Sequence, residues 1–237
     1  MILKRCVPTL LGVAATVAGL SSCADEVSGN PASASRSVAS PVSSGSASVP
    51  ATGTDLQAVA LPTDEVRRIM NDATLVKTAT WRHAVAGLGV TFTPPECSVV
   101  AANGLHAALD GTGQTGIYYV NYVSPASPMV QVGEGVVGFP DPVAAHAFIV
   151  AQQEVWQQCA NTDLSMTMLD QTATQHSNEL KVDGDKLSMS FAMAAGNTCI
   201  RTLSARKNVA IDDLVCSTDP AEAATAIENG MLDKIPH

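Results

Sequence analysis

Aromatic residues are scarce in this chain: two Trp, three Tyr and four Phe, 4% of 237 residues. That poverty argues against a platform on which nucleic-acid bases stack. Positive charge is scarce too. Thirteen Lys and Arg stand against 22 Asp and Glu, for a formal net charge of −9 with no basic run. Nothing here neutralises a phosphate backbone or an anionic membrane surface, so no nucleic-acid partner is expected. No metal or cofactor is expected either. No cysteine pair has C-x-x-C spacing, and none of His83, His106, His146, His176 and His237 lies at ligand spacing from a cysteine. No G-x-S-x-G, H-E-x-x-H or Walker pattern occurs. "GTGQTG" (Gly111 to Gly116) has the letters of a dinucleotide fingerprint, but a strand signal follows it where a helix is required, so it reads as a turn. "VDGDK" has too few oxygens for a calcium loop and also reads as a turn. No catalytic residue is assigned.

What is present begins at the N-terminus. Lys4 and Arg5 precede Val7 to Leu20, fourteen mostly apolar residues. That is the layout of a secretory signal, and it is shorter than the ~20 residues a spanning helix needs. Leu20, Ser21, Ser22 and Cys23 then match a bacterial lipobox. Small side chains admit the peptidase, and the thiol is the nucleophile that takes a diacylglyceryl group. Residues 1–22, Cys6 included, are expected to be removed, leaving lipidated Cys23 as the anchor to the outer face of the cell membrane. Several acyl chains on one residue hold a protein firmly where one chain does not. The leader carries two cations and no acids, so its loss takes the formal charge from −9 to −11. Residues 23–55 read as a tether. Val27 to Pro50 holds nine Ser, four Ala, three Pro and two Gly, with Arg36 its sole charge. Such a segment cannot bury enough apolar surface to order itself, and as a flexible coil it reaches roughly 25–30 Å.

Residues 56–237 form one domain's worth of chain. Thr63 or Asp64 caps a first helix with Val66, Ile69, Met70 and Ala73 on one face. "FPDPVAAHAFIVAQQEVWQQCAN" predicts a longer helix, capped by Asp141, opened by Pro142, with Phe148, Val155, Trp156 and Cys159 sharing a face. A last helix is expected from Asp219 and Pro220, with Ile227, Met231 and Ile235 aligned. "GIYYVNYV", "VQVGEGVVGF", "KLSMSFAM", "CIRTLSA" and "NVAIDDLVC" read as strands. Strand candidates carry Met166, Met168, Met189 and Met193, thioethers that fill a core or adapt to an irregular apolar ligand. The pattern predicts an α+β fold with an antiparallel sheet.

Four cysteines remain in the domain: Cys97, Cys159, Cys199 and Cys216. An even number in an exported chain implies two disulfides, with three possible connectivities. Cys199 and Cys216 lie in neighbouring strand candidates joined by a short turn, which favours pairing them and leaves Cys97 for Cys159. At this point "LPTDEVRRIM", "PPEC", the long helix ending W-x-x-C, and "NTCIRTLSARKNVAIDDLVCS" carry a resemblance. They are similar to the PknH-like extracellular domain, which comprises the sensor region of a mycobacterial Ser/Thr kinase and a set of lipoproteins with the same module. The resemblance implies an α+β fold with an antiparallel sheet and a cleft. It also implies first-to-second and third-to-fourth disulfides, and binding of an unidentified ligand outside the cell.

Asp213 departs from the pattern, since alternation puts it on the face of Val209, Ile211 and Val215. It is expected either to meet solvent, as a charge on an edge strand, or to line the cleft. Tyr118, Tyr119 and Tyr122 are candidates for polar contacts to a ligand. The sequence favours a non-enzymatic, lipid-anchored binding or sensor module for an apolar or amphipathic envelope molecule. The alternatives are an envelope hydrolase with a site built from distant residues such as a Ser, Asp213 and a His, and a protein-interaction scaffold without a small ligand.

Overall fold

The computed structural model describes residues 53–86, 89–125, 130–193 and 196–236. Cys23, the expected leader and all of the expected tether before Gly53 lie outside the described residues. Helical structure starts earlier than position 56, because a short helix α1 spans Gly53–Leu56 and buries Leu56 completely.

The frame is a single ten-stranded sheet. Its strands in chain order are β1 (Val76–Trp81), β2 (Val90–Thr93), β3 (Gly116–Val123), β4 (Gln131–Gly138) and β5 (Asp163–Met168). The others are β6 (Gln171–Ser177), β7 (Lys181–Asp183), β8 (Lys186–Met193), β9 (Thr198–Arg206) and β10 (Val209–Ser217). Across the sheet the order is β1-β3-β4-β10-β9-β8-β6-β5-β2, with β7 paired to β8. Every pairing is antiparallel. The expected α+β class with an antiparallel sheet is therefore the observed one.

Both faces are covered at the centre of the sheet, where β3, β4 and β10 are buried on both sides. On one face lie α5 (Pro142–Gln158) and the segment holding a 3₁₀ turn (Pro95–Cys97), α3 (Ser98–Ala101) and α4 (His106–Leu109). Phe148, Ile149 and Trp156 of α5 join Val137, Phe139 and Leu203 in that core. On the other face, α1, α2 (Thr63–Met70) and α6 (Ala221–Leu232) bring Val66, Ile227 and Met231 onto Val209, Ile211 and Val215.

Local chemistry accounts for α5. Asp141 Oδ1 accepts the Ala144 amide at 2.8 Å, and Pro142 opens the first turn as expected. The other two expected caps differ. Thr63 is the first residue of α2 and Pro62 its N-cap, while α6 follows Pro220, and neither helix has a side-chain cap. Tertiary packing on buried Val66, Ile227 and Met231 holds those ends without a capping hydrogen bond.

Asp213 does neither of the two things expected of it. Strand β10 is interior, between β4 and β9, so Asp213 is no edge charge. It is 1% exposed, on the face covered by α6, away from the cleft described next.

Candidate functional site

A cleft of about 220 Å³ opens between the sheet and the segment around α3. Its roof is Val85 and the turn Ala101–Leu105. The roof strands itself together, since the Val85 amide donates to Gly104 O and the His106 amide to Val85 O, both at 3.0 Å. Its floor is the sheet, and eight strands contribute to it in spatial order from β1 to β5. Trp81 of β1 and Asn121 of β3 mark one end; Gln175 of β6 and Met166 of β5 mark the other. Leu214, Phe191 and the Cys199–Cys216 disulfide lie between them. Among the described residues lining it there is no Asp, Glu, Lys, Arg or His.

A buried ion pair fixes the roof to the floor. Arg201 donates through Nε to Asp212 Oδ1 at 2.8 Å and through Nη2 to Oδ2 at 3.0 Å. Its Nη1 donates to Val99 O, and the guanidinium stands 5.0 Å from the Trp156 ring. Tyr119 OH donates to Asp212 Oδ2 at 2.7 Å. The roof reaches the same aspartate: the Gly104 amide donates to Oδ2 at 3.4 Å, and Asn103 Nδ2 to its backbone oxygen at 3.2 Å. Gly104 sits at φ +73°, a turn that a side chain would strain, and a Cβ there would meet the Tyr119 ring at 3.1 Å. Burial, then the adjacent Asp212 carboxylate, pushes the Tyr119 hydroxyl well above its ordinary range, so it stays a donor. Every charge in this network faces a partner within it. The network positions Asn103 and offers the cleft no free ion.

The disulfides act at two places. Cys97–Cys159 ties the 3₁₀ turn below α3 to the end of α5. Cys199–Cys216 joins directly opposite residues of β9 and β10 in the cleft floor.

Under α6, on the opposite face, lie three buried carboxylates: Glu134, Asp213 and Glu228. Glu134 Oε1 accepts the Leu61 amide at 3.1 Å, yet burial raises its carboxyl to about 8. Asp213 is pushed well above the ordinary range by burial first, then by Glu134 and Glu228, with the Gly135 amide only partly offsetting this. Lys186 Nζ donates to Glu228 Oε2.

The other candidate residues scatter. Met166 and Met193 line the cleft, Met189 is buried in the core, and Met168 is exposed. Tyr119 bonds Asp212, Tyr118 packs in the opposite core, and Tyr122 packs there and also borders the cleft. His146 and His176 pair with Asp185 and Asp163 at 2.6 and 2.7 Å on exposed surface, and neither lines the cleft. Among the described residues, the charged groups acting on Asp213 are Glu134, Glu228 and Asp212, with no His among them. Sequence reasoning missed Asn103, Asn121, Gln175 and the Arg201–Asp212–Tyr119 network. An Arg within a strand of apolar neighbours, "CIRTL", was the available signal for the last.

The fold is an antiparallel α+β module with a cleft, stapled by two disulfides. Residues 51–234 match the PknH-like extracellular domain, and the chain belongs to that family. Serine/threonine-protein kinase PknH of Mycobacterium bovis is 25% identical over 149 residues, covering 62% of this chain and 25% of the kinase. The same kinase of Mycobacterium tuberculosis is also 25% identical over 149 residues, covering 62% of this chain and 24% of the kinase. The chain thus spans about a quarter of the length of the curated relatives it matches. The crystal structure of the extracellular domain of PknH from Mycobacterium tuberculosis is similar in fold, with TM-score 0.72 and 23% identity. That likeness covers 77% of this chain and 95% of the crystallised one.

Proposed function

We propose that this chain is an exported lipoprotein, anchored through Cys23, whose folded module binds an apolar or amphipathic envelope molecule and turns nothing over. One observation carries the reading: a cleft framed by sheet and roof, with apolar side chains and neutral amides as its lining. Catalysis needs a nucleophile, a base and a charge stabiliser within reach of one another, and the described cleft lining supplies no Asp, Glu, Lys, Arg or His for such a set. Membership of a family of extracellular domains supports export, and the lipobox supports the anchor.

All described residues fall in one compact unit, and the corresponding domain of the tuberculosis kinase crystallised by itself, so residues 46–237 are suited to expression alone. Thermal shift of that piece against envelope lipids and glycans tests the reading. A ligand at 100 times its dissociation constant adds about 2.7 kcal/mol of stability. Reproducible ester or glycoside turnover, abolished by one Ser, Asp or His substitution, overturns the non-enzymatic part.

A further inference from the structure

The polarity of the cleft changes along its length, and that narrows its ligand. Resting on the cleft as the binding site, we propose that it holds an uncharged amphiphile. The hydroxylated head lies at Trp81, Asn103 and Asn121, a hydrocarbon stretch crosses the floor disulfide, and an acceptor oxygen meets Gln175 Nε2.

Charge is excluded first. An ionised group entering the cleft loses hydration and finds no countercharge among the described lining residues. The nearby Arg201–Asp212 pair is already satisfied by its own partners.

The head end is marked by two amides that meet above Gly133. A Cβ on that glycine would lie 2.6 Å from Asn103 Nδ2 and 2.9 Å from Asn121 Oδ1. Gly133 is thus what lets both amides reach the floor. Each amide offers a carbonyl acceptor and an NH₂ donor, and a hydroxyl both donates and accepts. Trp81 beside them adds a ring with an apolar face. Hydroxyl-rich, neutral groups fit that set.

Beyond Gly133 the floor turns apolar through Leu214, the Cys199–Cys216 disulfide, Phe191, Met193 and Met166. The two thioethers adapt to a flexible hydrocarbon. Past most of this stretch stands Gln175, 6% exposed, whose Nε2 donor has no acceptor. An unmet buried donor destabilises the empty cleft and rewards a ligand oxygen placed there. Gln175 lies four strand spacings from Gly133 along the sheet order, ~19 Å across the strands at ~4.8 Å each, and is offset along them as well. The ligand carries its second oxygen at the far end of a chain from its head.

Calorimetry on residues 46–237 tests this with three amphiphiles of one chain length, each below its micelle concentration and each ending in a hydroxyl that supplies the acceptor for Gln175: the monoglyceride of 12-hydroxydodecanoic acid, 12-hydroxydodecanoate and 12-hydroxydodecylammonium. The glyceride binds, and both charged counterparts bind at least about tenfold more weakly. Gln175→Leu weakens the glyceride about tenfold, the usual worth of one buried hydrogen bond. Gly133→Ala, which drives the two amides apart, abolishes binding. Should Gln175→Leu fold poorly, the Gln175 side-chain amide signal in a ¹⁵N NMR spectrum of the unsubstituted domain gives the same answer by shifting on glyceride addition. Charged chains binding as tightly as the glyceride, or a Gln175 signal that stays put on saturation, overturns the proposal. Failure of all three chains also overturns it. Stabilisation by another envelope molecule, lost in Gly133→Ala, would then leave the cleft reading standing.

Discussion

Asp212 and Asp213 are neighbours in β10, point to opposite faces, and are both buried, yet their chemistry diverges. Asp212 has a guanidinium and a phenol; Asp213 has burial and two other carboxyls. Removing Arg201 therefore strands a buried carboxylate, and Arg201→Met should cost about 3–5 kcal/mol in denaturant unfolding. Glu134 gives a pH signature. Its folded pKa of about 8 exceeds its ordinary 4.5, so between those values the folded state binds more protons than the unfolded state. Stability must then fall as pH rises through that window, by up to about 1.4 kcal/mol per unit for this group, with Asp213 adding in the same direction. Glu134→Gln should raise the melting temperature at pH 8 more than at pH 5 and flatten the profile. An unchanged slope would show that Glu134 does not carry it. At this scale the sequence was half legible. Alternation put Asp213 on the face of Val209, Ile211 and Val215, and that is its face. Whether the face met water depended on α6 and on β4 pairing beyond it, which no local pattern encodes.

Elements with one clear period were readable from the sequence. "GIYYVNYV" and "KLSMSFAM" coincide with β3 and β8, and the Asp141–Pro142 start of α5 follows from capping chemistry. Strand β6, "QTATQHS", had no apolar alternation to show, because Gln175 and Ser177 face inward where an apolar residue would be the usual sign. Strands β1, β2 and β7 also went unread, and of these unread strands β1 and β6 line the cleft. The roof was hidden for another reason: α3 and α4 have four residues each, too short for a helical period. Packing, the Val85 backbone bonds, the Gln152 Nε2 bond to Ala108 O, the Asp212 network and the Cys97–Cys159 link hold that roof. Replacing Cys97 and Cys159 by Ser should cost ~2–5 kcal/mol by thermal unfolding. It should also weaken ligand binding, since Val99 to Gly104 loses a tie. Binding unaffected by the double replacement would mean that the disulfide does not set the roof.

At the scale of the whole molecule, composition and N-terminal layout carried the inference before any fold was known. An acidic, aromatic-poor chain with a short apolar leader and a Ser-rich segment reads as an exported, tethered module. Cys23→Ala should move the protein from the detergent-soluble membrane fraction to the soluble fraction. Intact mass of the unsubstituted mature protein should carry the added acyl mass, and its absence would refute the anchor. The central claim, that the cleft holds an uncharged envelope molecule, is tested most directly by native mass spectrometry of the chain purified from its own envelope. A non-covalent adduct that leaves as a neutral species on activation, and is missing from Gly133→Ala prepared alongside, is the predicted result. An adduct retained by Gly133→Ala, or a chain that arrives empty and is stabilised by none of its envelope's lipids or glycans, would contradict it.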